Sequence, residues 1–417
     1  MCYYFLLWVI RMKNKAIDLV GYTQKQLLSL IFRHTYKTAT QHFTRKSILD
    51  FKNTGFLILK MIKKSMKVEL MDYFHEFDKN LEIPSRQAFS QARDKISYLA
   101  FKDFFEKSCE LALDNDGART YKGYRLFAVD GTSFLVGLMS NLGEYFGQST
   151  TVPGQAMRRI SGIVDVLNNC IVNAAVSPFS IGERVLAINQ IEELKSVDNS
   201  LYLCDRGYWS SKLVSAIIKN GQKFVMRLTS NIGKTIVKDE NGNVLKLRRY
   251  SFTLPNGNRE TLLTNITEDE MSDEELVCLY MKRWGVETKY LELKARLQID
   301  KFSGDSVNTV LQDIYSTMYI SNLVAFICFE VDEVIKERTV DKDNKYEQKA
   351  NRAICIAALR KRFIDICVSE PKESAIALQR LYRDICREVT YVNKSKSRPR
   401  DKHKIKTPKR KTYKSVL

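Results

Sequence analysis

The chain has 417 residues with 67 Lys and Arg against 48 Asp and Glu, a formal net charge of +19, and 44% hydrophobic and 11% aromatic residues. This composition excludes a disordered chain and leaves room for about two to four domains with cores of their own. A fold this basic is a polyanion binder, nucleic acid being the usual partner, with a ribosomal or membrane-surface protein as the alternative. The nine cysteines form no CxxC pair, and His34, His42, His75 and His403 are scattered. Both facts fit reduced core thiols of a cytoplasmic protein and speak against a Cys/His zinc site.

The chain opens MCYYFLLWVIRMKNK. Its apolar run of about nine residues is too short for a bilayer and lacks the order of a signal peptide. It reads as a buried helix end or a matter of start-site choice. No other segment is expected to approach a transmembrane span, so no membrane partner is expected. Residues 1 to about 115 read as helical. Within them, 58–74 form a basic amphipathic run carrying Lys60, Lys63, Lys64 and Lys67. Ser85 is placed to cap a helix whose Ala88, Phe89, Ala92 and Ile96 face inward. Arg86, Gln87, Ser90, Gln91 and Arg93 are left as a polar face, either a plain solvated one or one suited to DNA.

From about Tyr124 the pattern becomes α/β. YRLFAVDGTSFLVG reads as a strand ending near Asp130, a turn at Gly131 and another extended run. RRISGIVDVLNNCIVNAAVSPF reads as two strands joined through Asn168-Asn169. A helix in IGERVLAINQIEELK, a strand ending near Asp205, a helix closed by Gly221 and a strand in GQKFVMRL follow. Antiparallel strands followed by alternating helices and strands indicate a mixed sheet with helices on its faces. FGQSTTVPGQ reads as a polar loop of no diagnostic content. IGKT, at 232–235, resembles the end of a phosphate loop, but Leu228 stands where that motif needs glycine. Residues 229 to about 268 read as a β insertion with turns at Asn241-Gly242 and Asn256-Gly257. A long apolar helix after Gly304 and a helical stretch over 336–390 precede a basic, low-complexity tail from Tyr391. That tail could hold DNA through phosphates or serve solubility alone.

The chemistry concentrates in YMKRWGVETKYLELK. On one α-helix Tyr280, Arg283, Glu287 and Lys294 would share an arc of roughly 60° along about 21 Å. Such a stripe suits a strand of phosphates, with the cations on the backbone and the carboxylate on a metal. Asp130 and Asp205, each ending an apolar strand, would join Glu287 to hold two Mg²⁺ ions for in-line displacement at phosphorus. Asp165 is a rival carboxylate without the surroundings of a metal site. Glu183, at a helix start, reads as a dipole or cap residue that could lie near the metals.

These residues resemble the DDE transposases of the bacterial insertion-sequence family whose signature is Tyr, two residues, Arg, three residues, Glu, six residues, Lys (the insertion sequence family four type). Tyr280, Arg283, Glu287 and Lys294 match it without a gap, and VDGT at Asp130 and DRGYW at Asp205 resemble its aspartate segments. The resemblance covers roughly residues 80 to 330. It implies an α/β fold with an RNase H-like, retroviral-integrase-like mixed five-stranded sheet. The divisions would be a helical N-terminal DNA-binding region (1–118), a catalytic core in two parts (119–228 and 271–335) around a β-rich insertion (229–270), a C-terminal helical region (336–390) and a disordered basic tail (391–417). It implies Mg²⁺ ligation, with Mn²⁺ able to substitute, by Asp130, Asp205 and Glu287. Hydrolysis and strand transfer at terminal inverted repeats would follow, in some members through a hairpin, within a synaptic homodimer near the nucleoid. Arg283 and Lys294 would contact phosphates and Tyr280 would position the backbone. Trp209 and Trp284 would stack on a flipped base or, more in keeping with tryptophan in general, pack in the core. A catalytically silent, repurposed DNA-binding protein and a related nuclease of the same fold are the alternatives.

Overall fold

The computed structural model describes residues 14–60, 65–136, 140–147, 156–229, 237–238, 242–254, 257–340 and 345–392. The N-terminal apolar run, Lys63 and Lys64, most of the FGQSTTVPGQ loop, the IGKT segment, Asn241, Asn256 and the tail from 393 lie outside them. The chain divides into two compact units, one of residues 112–292 and the other of residues 1–111 with 293–417.

The first of these units is built on a sheet of seven strands. They are β1 (Arg125–Val136), β2 (Ala156–Asp165), β3 (Cys170–Pro178), β4 (Ser200–Cys204), β5 (Lys223–Leu228), β6 (Arg248–Thr253) and β7 (Arg259–Thr264), in the order β3-β2-β1-β4-β5-β7-β6. β1, β2 and β3 pair antiparallel, and β4 and β5 run parallel to β1. Leu126 to Val129 and Leu201 to Cys204 are wholly buried, as strands covered on both faces must be. The Asn168-Asn169 turn forms as the sequence suggests, with Asn169 in the left-handed region at φ 53°, a conformation asparagine tolerates. Asp165 is a structural pin: its Oδ2 accepts from Arg125 Nε at 2.7 Å and from Asn168 Nδ2 at 2.8 Å, and both residues of the ion pair are buried.

Two expectations change here. Gly131 makes no turn, because β1 runs unbroken through it, with Asp130 paired to Gly162 and Gly131 to Ser161. The 229–268 insertion does not stand apart from a five-stranded sheet. Its hairpin, turning at Gly257 with φ 78°, adds β7 antiparallel to β5 and extends the sheet to seven strands.

The other unit is mainly helical. In chain order its helices include α1 (Lys15–Leu28), α2 (Leu30–Tyr36), α3 (Phe51–Leu59), α4 (Met66–Phe74), α5 (Arg86–Asp94) and most of α6 (Leu99–Leu113). Ser85 caps α5 by accepting from Ala88 N at 3.0 Å. Arg93 leaves the polar face assigned to it: it is buried, and its guanidinium donates to Gln312 at 3.0 Å and to Asp313 at 3.1 Å. Nor is 58–74 one amphipathic run, since α3 ends at Leu59 and α4 starts at Met66.

Those Arg93 partners lie on a 33-residue helix, Val307–Thr339, capped by Ser306. Against expectation, this helix holds a window long and apolar enough to cross a membrane, with mean hydropathy 1.4, but 94% of that window is buried inside the protein. It reads as a core helix, made apolar all round by being surrounded. The 336–390 stretch is not purely helical: β8 (Glu347–Ala350) pairs antiparallel with β9 (Val389–Val392) around three further helices, Arg352–Lys361, Phe363–Cys367 and Pro371–Ile385.

Candidate active site

β1 and β4 are neighbours in parallel register, with Val129 opposite Cys204. The next residue on each is Asp130 and Asp205, so the register sets the two residues side by side where β4 ends, with their backbones about one strand spacing apart, ~4.8 Å. Each is fixed by its local backbone: Asp130 Oδ1 accepts from Gly131 N at 2.9 Å and Asp205 Oδ1 from Arg206 N at 2.8 Å. Asp205 Oδ1 also takes Arg227 Nη2 of β5 at 3.1 Å, and Arg227 Nη1 reaches Glu260 of β7 at 3.1 Å.

Glu287 comes from a helix, Trp284–Ala295, that three contacts set against the sheet. Tyr290 Oη, one turn beyond Glu287, donates to the backbone oxygen of Asp130 at 2.8 Å. Lys289 Nζ donates to Asn169 O in the β2-β3 turn at 2.9 Å. Gly285 lies so close to Val166 that a Cβ there would sit 3.0 Å from that side chain. The tyrosine contact needs a second glycine: a Cβ on Gly162, opposite Asp130 on β2, would stand 2.8 Å from Tyr290 Oη. The helix that supplies Glu287 is thereby tied to the residue that supplies Asp130.

Arg283 is the electrostatic centre of the group. Its Nη2 donates to Glu287 Oε1 at 3.0 Å, and its charge also acts on Asp130 and Asp205. Burial opposes charge on this guanidinium, but Tyr280, Asp205 and Glu287 outweigh burial and hold it protonated. Asp130 shows the opposite balance. Burial pushes its pKa up to about 6; the Gly131 N–H and Arg283 pull it down, and Glu287 and Glu183 add to the rise. Glu183, the first residue of a helix (Glu183–Glu193), is paired with Arg159 at 3.3 Å. A Cβ on Gly131 would stand 2.9 Å from the Glu183 carboxyl, so that glycine makes room for a fourth carboxylate beside Asp130.

The Tyr280 to Lys294 stripe is not one helix. Tyr280 ends a helix (Asp273–Met281), and Arg283 sits in a tight connection of i to i−3 bonds before Trp284. Tyr280 and Arg283 are buried, with the guanidinium stacked between the Tyr280 ring at 5.8 Å and the Trp284 ring at 5.6 Å. Trp284 is 46% exposed, which removes core packing as its role. Trp209 is half-buried and closes the turn after Asp205 through Arg206 O. Lys294 lies two turns beyond Glu287 on its helix and falls in the other compact unit.

Among the described residues no three Asp, Glu, His or Cys side chains stand close enough to hold one ion as they are. Asp205 and Glu287 face Arg227 and Arg283 instead. The donors fit Mg²⁺ or Mn²⁺ in kind: they are carboxylate oxygens, and Asp130 is half-buried beside two more acids, where a cation would relieve the repulsion. Sequence reasoning passed over Arg227, Glu260, Tyr290 and Gly162. Only Tyr290 carried a local signal, at i+3 from Glu287.

The model of the family described as Transposase DDE domain matches residues 121–323, and the chain is similar to transposases of insertion sequences. It is 23% identical over 323 residues to a Synechocystis protein named as a transposase for insertion sequence element IS4SA, covering 73% of this chain and 89% of that one. It is 25% identical over 150 residues to an Escherichia coli K12 protein named as transposase InsZ, covering 34% of this chain and 48% of that relative, about half its length. Among solved structures it aligns with the piggyBac transposase synaptic complex with hairpin DNA over 92% of this chain and 80% of that one, at 13% identity and a TM-score of 0.44.

Two outcomes follow from this geometry. Gly162→Ala puts a methyl group on the Tyr290 hydroxyl and lowers stability by about 1–3 kcal/mol; urea denaturation measures it, and a loss under about 0.5 kcal/mol would mean the tyrosine contact is not needed. Asp130→Asn has a pH signature. A carboxyl whose folded pKa is raised gives stability that is present at low pH and lost as pH rises towards 6. The variant is therefore more stable than wild type at pH 7.5 in metal-free buffer, by up to about 3 kcal/mol, and the gain disappears below about pH 4. Thermal melts across that range read it, and a pH-independent difference contradicts it.

Proposed function

We propose that the chain catalyses cut-and-paste transposition of an insertion sequence, cutting and rejoining DNA at terminal inverted repeats. Asp130, Asp205 and Glu287 are its catalytic carboxylates and the ligands of two Mg²⁺ ions, with Mn²⁺ able to substitute. The observation that carries the reading is the meeting of two adjacent strands, β1 at Asp130 and β4 where it ends before Asp205, with one helix, joined by the Tyr290 hydroxyl on Asp130 and by Arg283 among the three acids. The strand order β3-β2-β1-β4-β5, antiparallel in its first three members, supports an RNase H-like core. The protein would work on double-stranded DNA as a cytoplasmic homodimer that pairs two ends.

In this reading a water, and later a 3′-hydroxyl, attacks phosphorus in line while the bond to the opposite oxygen breaks. The ions, when bound, supply charge that activates the attacking oxygen and stabilises the leaving one. Arg227 and Arg283 hold Asp205 and Glu287 in place beforehand, so that two acids and two bases share the cleft without net repulsion. As DNA enters, Arg283 takes the phosphate nearest the acids, and Tyr280 stays beneath its guanidinium. Lys294 takes a phosphate further along the strand. Trp284, exposed beside Arg283, offers a face for a displaced base, and Trp209 shapes the turn under Asp205. The same two arginine partnerships are the one observation favouring the catalytically silent reading, since they occupy oxygens that a metal needs.

Cleavage of a duplex bearing the element's ends separates the two readings. The wild-type chain is expected to nick it only with Mg²⁺ or Mn²⁺ present, and Asp130→Ala, Asp205→Ala and Glu287→Ala to fall to background while still shifting the duplex in a gel. Full cleavage by any of the three removes that residue from the metal site, and no cleavage by wild type in either metal supports the silent protein. Lys294→Ala is expected to bind the ends more weakly on all sequences and to lower the slope of log affinity against log salt by about one. An unchanged slope would count against its phosphate contact.

A further inference from the structure

A cavity of about 1050 Å³ lies in the unit that contains the N- and C-terminal helices, between α4 and the 352–367 helices. It is independent of the carboxylates of the catalytic unit and plays no part in the function proposed above. Arg360 and Arg362 border it, together with Lys79. Arg360 stands in the last turn of its helix, where a cation complements the helix dipole. The dipole accounts for a positive charge there. It does not account for the donors, because Arg360 Nε and Nη2 and Arg362 Nη1 are buried and have no hydrogen-bond partner. Arg362 uses a different nitrogen, Nη2, on Asp384. Burial pushes the Arg360 pKa down, and the charge of Glu69 only offsets part of that. Three buried N–H-bearing nitrogens on two arginines, two positions apart, await acceptor oxygens.

The acids around the same cavity narrow the choice of acceptor. Glu69, which is paired with Lys60 at 3.4 Å, and Asp72, Glu76 and Asp365 also border it. A continuous DNA strand would bring its flanking phosphates against these carboxylates. A single phosphate group would meet the guanidinium donors without neighbours to repel. The volume matches pockets that hold a small molecule, which commonly measure about 300–1,000 Å³.

We propose that this cavity binds one isolated phosphate group, carried by inorganic phosphate, by a mononucleotide or by the 5′ end of a DNA strand, with Arg360 as its principal anchor. Inorganic phosphate is the first probe. In metal-free buffer of constant ionic strength, phosphate is expected to broaden its ³¹P resonance on the full-length protein and to raise the melting temperature above that in chloride. Arg360→Gln should abolish most of both effects. Equal broadening in wild type and in a folded Arg360→Gln, or no difference from chloride, overturns the site. If Arg360→Gln fails to fold, Lys79→Gln, an exposed change at the rim, is expected to weaken phosphate binding about threefold or more, and unaltered binding there overturns the site as well. The source is read with AMP and with short duplexes that differ only in a 5′ phosphate. Tighter Arg360-dependent binding of AMP than of phosphate assigns a mononucleotide, and an Arg360-dependent preference for the phosphorylated duplex assigns a strand end. Arg360-dependent binding of the 5′-hydroxyl duplex at equal strength would show internal phosphates in the cavity and refute the isolated-group reading. None of these arms needs cleavage activity, so their failure is distinct from failure of the catalytic proposal.

Discussion

The site rests on one hydrogen bond, from Tyr290 Oη to the main-chain oxygen of Asp130. A point within a strand and a helix turn far apart in sequence have no intrinsic reason to meet. The bond is possible because Asp130 is paired across the sheet with a glycine, Gly162, whose missing Cβ leaves the gap that the phenol fills. Being buried, the hydroxyl must find a partner, and the carbonyl of Asp130 is the partner it finds. Glu287 is one helical turn away on the same helix. Gly285 against Val166 and Lys289 on Asn169 remove the remaining freedom to slide or roll. The helix is thus set against the sheet by contacts that use no carboxylate oxygen, while one oxygen of each acid is held separately, by Gly131 N, by Arg206 N with Arg227, and by Arg283.

Much of this was legible in the chain, and the parts that were not share a cause. The strand end at Asp205, the Asn168-Asn169 hairpin and the Ser85 cap are all local, set within a few residues by periodicity or turn chemistry, whereas β1 runs on past Asp130 to Val136. Gly131 was misread as a turn because Asp-Gly usually is one. Its true reason, the Glu183 carboxyl against its Cα, depends on a helix some fifty residues later. Gly162 and Arg227 were invisible for the same reason: their partners are defined by strand register, which no local pattern states. The insertion hairpin was recognisable from Asn256-Gly257, but its addition to the edge of β5 was not, because a hairpin's twist does not say which edge it will join. Arg93 looked like part of a solvated face because helical spacing cannot tell an exposed arginine from one whose hydrogen bonds are met by Gln312 and Asp313.

The single helix imagined for the Tyr280 to Lys294 stripe fails in an instructive way. The i to i−3 bonds at Lys282 and Arg283 tighten the backbone just where the arginine must turn inward. A continuous α-helix would present Arg283 on the same surface as Lys294. The break instead buries it beneath Trp284 and over Tyr280, where a guanidinium can stack on aromatic faces while its fork remains for an acid. Signature spacing is therefore kept for two different jobs, one inside the cleft and one along the helix.

The balance of charge in that cleft decides what can happen in it. Burial holds the Asp130 proton up to about pH 6, and the charges of Glu287 and Glu183 beside it add to the rise. Arg283 and Arg227 offset the repulsion for Glu287 and Asp205 but leave Asp130 the least compensated of the group. A divalent cation would act first on this residue, because there the gain from a new positive charge is largest and no arginine need be displaced. Binding there would lower the cost of ionising Asp130 and weaken the hold of each arginine on its own acid, since the same negative charge cannot serve both partners at full strength. On the proposed reading the ion pairs and a metal-loaded site would be two settings of one charge balance, and the arginines freed by the second would be those best placed to meet a phosphate.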